Sequence, residues 1–315
     1  MTAAREERVG LLFAALCAGL GAFGPAFGKL TTQAVDAVFT AAVTGLFGGA
    51  AAALVLGVRG ELAALVRRDV LPRLLVVAAL GTATAFVLFY EGAKRASAID
   101  AALCLQIEPA YSLALSWLAL GHRPTRRRLL AVAALLVGIG LAVGVHELSG
   151  SVGVWLLLAT PLAWQLSHLV VLRGLPGVTP PVLTGARYVF GSALLAGWWL
   201  ATRGPSTIPE PATLAGLLPL LAIQGVVLSF GGTMLWYQTI ARLDLARATA
   251  IVVPSIPLLS LGASFALLGE VATPQQWLGL ALTLGGVVAF VTAPAARAER
   301  AAAPAAEAPG RRPAA

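Results

Sequence analysis

The sequence predicts an all-α membrane protein in which ten transmembrane helices form two inverted five-helix repeats. Three observations predict it. Of 315 residues, 58% are hydrophobic and 11% charged, with a mean hydropathy of +0.86, whereas a soluble domain carries roughly 25% charged residues. Apolar stretches near the ~20 residues that cross a bilayer recur ten times. Finally, marker residues repeat at separations of 147 and 148. With five spans to a repeat, an odd number, the second repeat enters the membrane upside down.

The first five spans read as Val9 to Gly28, Val35 to Val58, Leu71 to Tyr90, Ala98 to Leu120 and Leu129 to Val145. The second five read as Val152 to Leu172, Val182 to Ala201, Leu214 to Thr239, Ala248 to Leu268 and Gln275 to Thr292. Thr179 before Pro180 and Thr273 before Pro274 have the form of an N-cap followed by proline at the first helical position. Residues 1–8 form a short leading segment, 9–146 and 151–293 the two repeats, and 294–315 an Ala, Pro, Arg and Glu tail expected to be disordered.

With the N-terminus in the cytoplasm, seventeen of the 22 Lys and Arg residues fall on the inner side. Only Lys29, Lys94, Arg95 and Arg203 fall outside, and Arg187 lies within a span. That asymmetry places both termini in the cytoplasm of a multi-pass protein of the cell (inner) membrane. It also accounts for the net charge of +8 and the pI near 10.5 without nucleic acid as a partner. The run Arg123 to Arg128 is a solvated loop that can touch anionic lipid. Arg5 and Arg8 before an apolar stretch resemble a signal peptide, but no small-residue cleavage site follows. Cys17 and Cys104 both fall in apolar spans, so neither a disulfide framework nor a metal cluster is expected.

The repeat is carried by Tyr90 and Tyr237, Arg95 and Arg242, Pro109 and Pro257, Gly121 and Gly269, Thr125 and Thr273, and Gly138 and Gly286. Two similar halves of opposite orientation can expose a midplane site to each side in turn. The windows YEGAKRASAIDAALCLQIEPAYSLALSWLALGH and YQTIARLDLARATAIVVPSIPLLSLGASFALLGE resemble an EamA-type transporter of the drug/metabolite transporter superfamily. In that family each repeat has an A-x-x-x-x-A loop, a helix with a central proline and an L-G-E exit. The resemblance spans about residues 9 to 293. His122 stands where the first exit would have Glu, while the second keeps Glu270. The family's arginine on the second helix of a repeat is matched by Arg187 in the second half and by Val43 in the first.

Ionisable side chains at mid-membrane demand a partner, an aqueous cavity or a neutral state. Glu108, His168 and Arg187 are such residues. Glu108, beside Pro109, is open to three readings: a proton-carrying coupling residue, a structural partner of Arg187, or a boundary position. Trp164 and His168 share a helix face, with Gln165 adjacent. Arg187, next to Tyr188, either binds a substrate carboxylate or balances Glu108. Gln224, Gly231 and Gln238, spaced by seven, line one face of span eight near Trp236 and Tyr237. Pro25, Pro109, Pro254 and Pro257 are candidates for helix breaks or gates, with Phe23, Gly24 and Phe27 flanking a broken end of span one. Lys94, Arg95, Asp100, Arg242, Asp244 and Arg247 lie at corresponding connections, where gate ion pairs could form.

No nucleotide-binding loop, metalloprotease motif or nucleophile elbow is present, so no cofactor is expected and energy must come from a gradient. Secondary active, proton-coupled export of an amino acid or related metabolite is what the resemblance implies. Import of a nucleoside, sugar or similar solute is the alternative, and a membrane-embedded enzyme or lipid-carrier flippase ranks below. The expected partners are a small-molecule solute, protons and membrane lipids.

Overall fold

A computed structural model describes residues 3–243 and 245–293, and every regular element among them is helical. In chain order the α-helices are α1 (Ala3–Ala34), α2 (Ala37–Val58), α3 (Leu71–Ala78), α4 (Ala85–Arg95), α5 (Ala98–Cys104), α6 (Glu108–Leu120) and α7 (Arg126–Val143). The second half holds α8 (Val145–Gly150), α9 (Val152–Gly174), α10 (Pro180–Thr202), α11 (Pro211–Ala222), α12 (Gly232–Ile240), α13 (Leu245–Leu268) and α14 (Pro274–Val291). Asp244 and the tail from 294 onward lie outside the described residues, as does the side chain of Arg247.

Eight helical segments are long and apolar enough to cross a membrane, some of them trains of two helices. This is a multi-pass membrane protein. The segments comprise α1, α2, α3 with α4, α5 with α6, α9, α11 with α12, the later part of α13, and α14. The helices at the expected fifth and seventh spans, α7 and α10, are not among the eight. Three arginines occupy the first turn of α7, and α10 carries Arg187 among small and hydroxylated residues.

The prolines correct one expectation. Helix α1 runs unbroken through Pro25, and α13 runs unbroken through both Pro254 and Pro257. Each proline removes one backbone donor, but in a helix bundle the neighbours and small local adjustments hold the helix together. The helical path changes elsewhere. Span four passes through a 3₁₀ turn, Leu105–Ile107, immediately before Glu108 and Pro109. The segments α3 to α4 and α11 to α12 each contain a π-helical stretch, Ala79–Thr84 and Ile223–Gly231, with no proline inside. These two stretches overlap when the halves are superimposed at the 147-residue separation.

Local chemistry repeats between the halves as well. Gly121 and Gly269 both end their helices in the left-handed conformation, at φ 74° and 68°, which a side chain would disfavour. In each case the next two N–H groups fold back on the last turn: Gly121 and His122 onto Trp117 and Ser116, Gly269 and Glu270 onto Phe265 and Ser264. Four residues after each glycine a threonine caps the next helix, Thr125 on Arg128 N–H and Thr273 on Gln276 N–H.

The halves interlock rather than sit side by side. Helix α7 packs along α14, α2 along α10, α1 along α13 and α12, and α4 along α9. Small residues allow this closeness, as packing between membrane helices requires. At Gly138 a Cβ would stand 2.5 Å from Thr283 N and 2.8 Å from Gly279 O, and at Gly286 one would stand 2.6 Å from Leu135 N. Ser260 reaches across to donate to Ala22 O at 2.9 Å.

Candidate functional site

A cavity of about 710 Å³ lies between the halves, within the 300–1,000 Å³ of small-molecule sites. Its apolar wall includes Leu20, Gly21 and Gly24 of α1, Leu228 of the second π stretch, and Val252 and Ile256 of α13. Phe86, Phe89, Trp164, Trp236 and Phe290 supply aromatic surface. Into this wall a few polar groups converge: Glu108, Gln165, His168, Arg187, Gln224, Ser229, Thr233 and Tyr237.

Glu108 opens α6, the position that the 3₁₀ turn and Pro109 create, and its Oε1 accepts from Gln165 Nε2 of α9 at 2.7 Å. Arg187 projects from α10 toward the first π stretch, where its Nη2 donates to Gly81 O at 2.8 Å. Gly81 makes that approach possible, since a Cβ there would stand 3.1 Å from Arg187 Nε and 2.6 Å from Ser167 Oγ. Arg187 Nε is shielded and has no hydrogen-bond partner. The two charges share the cavity, and no ion pair within 4.0 Å joins them: one carboxylate oxygen accepts from an amide and one guanidinium nitrogen donates to a backbone carbonyl.

One end of the cavity is lined by a layer of aromatic and amide packing. Tyr90 OH donates to Gln224 Oε1 at 3.2 Å, and Gln224 Nε2 reaches Thr31 at 3.5 Å. Phe86 stands edge-on to both Tyr90 and Tyr188, and Tyr188 stands edge-on to Phe230. Tyr188 OH also meets Thr233 at 3.2 Å. Beyond this layer the side chain of Glu91 binds Arg95 and, at 2.8 Å, Arg203, which also lies 3.7 Å from Asp36. Hydrogen bonding to Glu91 raises the Arg203 pKa above its ordinary value. Nearby, Lys29 donates to Lys94 O at 3.2 Å, and Glu270 accepts from Ala98 and Ile99 N–H at 3.1 Å each, capping α5 from the other half of the chain. At the opposite end the lining reaches Tyr237, Phe290 and Val291, at or near the C-terminal ends of α12 and α14.

Of the residues singled out from the sequence, Glu108, Trp164, His168, Arg187, Gln224, Tyr237, Pro25 and Pro109 line the cavity. Gln238 lies outside it, exposed, and its side chain accepts from Arg242 at 2.5 Å. Pro254, Pro257 and Gly231 are also outside the lining, whereas Gly232 is in it. Among the connection charges, Arg95 pairs with Glu91, Asp100 binds Ser97 and Gln276, and Arg242 pairs with Glu6 at 3.4 Å. Sequence reasoning missed Glu91 and Arg203 as partners and overlooked Phe86, Ser229 and Thr233 in the wall. The one available signal was Glu91, an acidic residue four positions before Arg95 on a helix.

The sequence profile of the EamA-like transporter family matches residues 8–144 and again residues 151–292. The chain belongs to this family. Among curated proteins, a probable terminal-alkyne amino-acid exporter of Streptantibioticus cattleyicolor is 28% identical over 292 residues, covering 88% of this chain and 87% of that one. A crystal structure with 19% sequence identity superimposes at a TM-score of 0.62, covering 91% of this chain and 96% of the other. At that identity the likeness speaks for the fold alone, and it places the two family units described here in a known architecture.

Proposed function

We propose that the protein is a secondary active transporter that exports a small organic metabolite, an amino acid or a close relative, across the cell (inner) membrane by alternating access. The observation that carries this reading is a cavity at the junction of two family units, apolar overall and furnished with one acidic and one basic side chain. The amino-acid exporter among its relatives supports the solute class.

In this reading α7 and α10 cross the membrane with the eight more apolar segments, giving ten spans in two inverted units, 9–146 and 151–293. The packing supports it, because exchanging the halves maps its pairs onto one another. The contact of α1 with α13 corresponds to that of α9 with α6, and α2 against the second π stretch corresponds to α10 against the first. The cation asymmetry supports cytoplasmic termini, which puts the Glu91–Arg203 cluster on the outer side and the cavity facing inward, as loading for export requires.

Protons are the proposed coupling ion and Glu108 their carrier, since it is a cavity carboxylate with no cationic partner within 4.0 Å. The experiment is transport of radiolabelled amino acids by the protein in proteoliposomes, with and without a pH gradient. Wild type should accumulate intact solute against its gradient when the pH gradient is imposed. At saturating solute, Glu108→Gln should retain solute exchange while losing pH-driven accumulation. Full accumulation by a well-folded Glu108→Gln protein defeats the coupling role, and a solute recovered chemically changed defeats the transporter reading.

A further inference from the structure

Resting on that reading, we propose how the site selects its solute: the carboxylate docks on Arg187 and the ammonium docks on Glu108 and Gln165, so the amino acid is read as a zwitterion. Arg187 and Glu108 face one cavity without neutralising each other. A cation and an anion that share an apolar wall without a direct ion pair are each costly, and a solute bearing the opposite pair offsets both at once. A neutral sugar or nucleoside would satisfy neither.

The guanidinium is prepared for an acceptor. Its Nη2 is held by Gly81 O at 2.8 Å, which fixes the plane of the group; Nε is shielded against Gly81, so it is the terminal Nη edge, Nη1 making no hydrogen bond, that the lining residue offers to the cavity. Gly81 O is presented by the π stretch, a backbone form often found at functional sites. Gly81 has no Cβ, which at 3.1 Å would press on Nε. A guanidinium anchored on one edge and unsatisfied elsewhere fits a carboxylate, the acceptor for which its fork geometry is suited.

The other pole is chemically distinct. Glu108 accepts one bond from Gln165 at 2.7 Å, so the carboxylate is oriented while retaining lone pairs for a further donor. An ammonium brings three donors, and the amide oxygen of Gln165 can accept another of them. Between and around the poles stand Phe86, Trp164, Trp236 and Leu228, and these suit an apolar, unsaturated or aromatic side chain.

The test is binding to purified protein in nanodiscs, using propargylglycine, phenylalanine, phenethylamine and phenyllactate as probes. The last two lack the carboxylate and the ammonium of phenylalanine respectively. Wild type should prefer phenylalanine over each by about 10- to 100-fold, the range expected for one charged hydrogen-bonded group. Arg187→Gln should lower phenylalanine affinity to that of phenethylamine and leave phenethylamine itself unchanged. A folded Arg187→Gln protein that keeps the phenylalanine preference overturns the assignment. A second measurement needs no variant: phenylglyoxal modification of Arg187 in wild type should be blocked by phenylalanine and phenyllactate but not by phenethylamine. Equal protection by all three likewise overturns it. If wild type binds none of the four probes, the amino-acid reading itself falls, an outcome distinct from loss of discrimination.

Discussion

Gly24 and Gly232 line the cavity, and a Cβ at either would meet no atom within 4 Å. Each therefore offers a place to narrow the site without disturbing packing. Gly24→Val should weaken phenylalanine binding by about tenfold while changing folding stability by no more than about 0.5 kcal/mol, the usual range for a substitution that touches nothing. Gly28→Val, whose Cβ would stand 2.8 Å from the Phe89 ring, should instead lower the melting temperature. Binding titrations and thermal melts of the two variants check this, and a Gly24→Val protein with unaltered phenylalanine affinity would remove Gly24 from the solute's path. Glu108, His168 and Arg187 were legible in the sequence because charge at mid-span is costly and therefore conspicuous. Phe86, Ser229 and Thr233 were not, because aromatic and hydroxylated residues are common on membrane helices and only helix rotation decides which face a cavity. Gln238 shows the same limit from the other side: heptad spacing placed it with Gln224, but the π stretch between them changes the register, and it faces out.

At the scale of helices, eight of the ten segments read from hydropathy are helices long and apolar enough to cross a membrane, but their interior irregularities were not legible. Proline was the expected sign of a break, yet α1 and α13 continue as helices through their prolines while two π stretches carry none. At the first of them Arg187 donates to Gly81 O and Ser167 to Val77 O, tertiary partners that leave no local sequence mark. Glycine has its firmest structural role between α7 and α14. Gly138→Leu would drive a side chain into Thr283 N and Gly279 O, backbone atoms that cannot turn aside. A loss of about 1–3 kcal/mol is expected, the cost typical of overpacking. Gly285→Leu, where a Cβ meets nothing within 4 Å, serves as the control on the same helix pair. Thermal unfolding of both in nanodiscs checks the difference, and equal stability would mean that the two helices can separate freely.

For the molecule as a whole, the two family units were readable in advance from the 147- and 148-residue separations, and the all-helical architecture from the apolar stretches. The pairing of each half's helices with the other half's was not, because periodicity orders segments along the chain and says nothing about which faces meet. That pairing is what lets Glu91, on α4, gather Arg203 from beyond α10, which also reaches Asp36 at the start of α2. Partly exposed ion pairs contribute about 1 kcal/mol or less each, so Glu91→Gln, which strips an acceptor from both Arg95 and Arg203, should shift the closed population roughly five- to tenfold. In a protein with Cys17 and Cys104 replaced by Ala and a cysteine at Ser229, labelling by an impermeant maleimide from the Asp36 side should rise by that factor. An unchanged labelling rate would assign closure of that end to the aromatic layer alone.

The seam between α7 and α14 has a further consequence for how such a bundle can move. Where glycines bring two backbones to within a missing methyl group of each other, no slack remains for one helix to slide along its neighbour. Of the two, only the last residues of α14 reach the cavity, through Phe290 and Val291. In the proposed alternating-access cycle the pair would serve as a bearing, holding the two halves in register while helices with looser contacts swing past it. A bearing must resist wear more than it must fit a solute, so variation between relatives that handle different solutes should gather in the cavity wall and spare Gly138, Gly279 and Gly286.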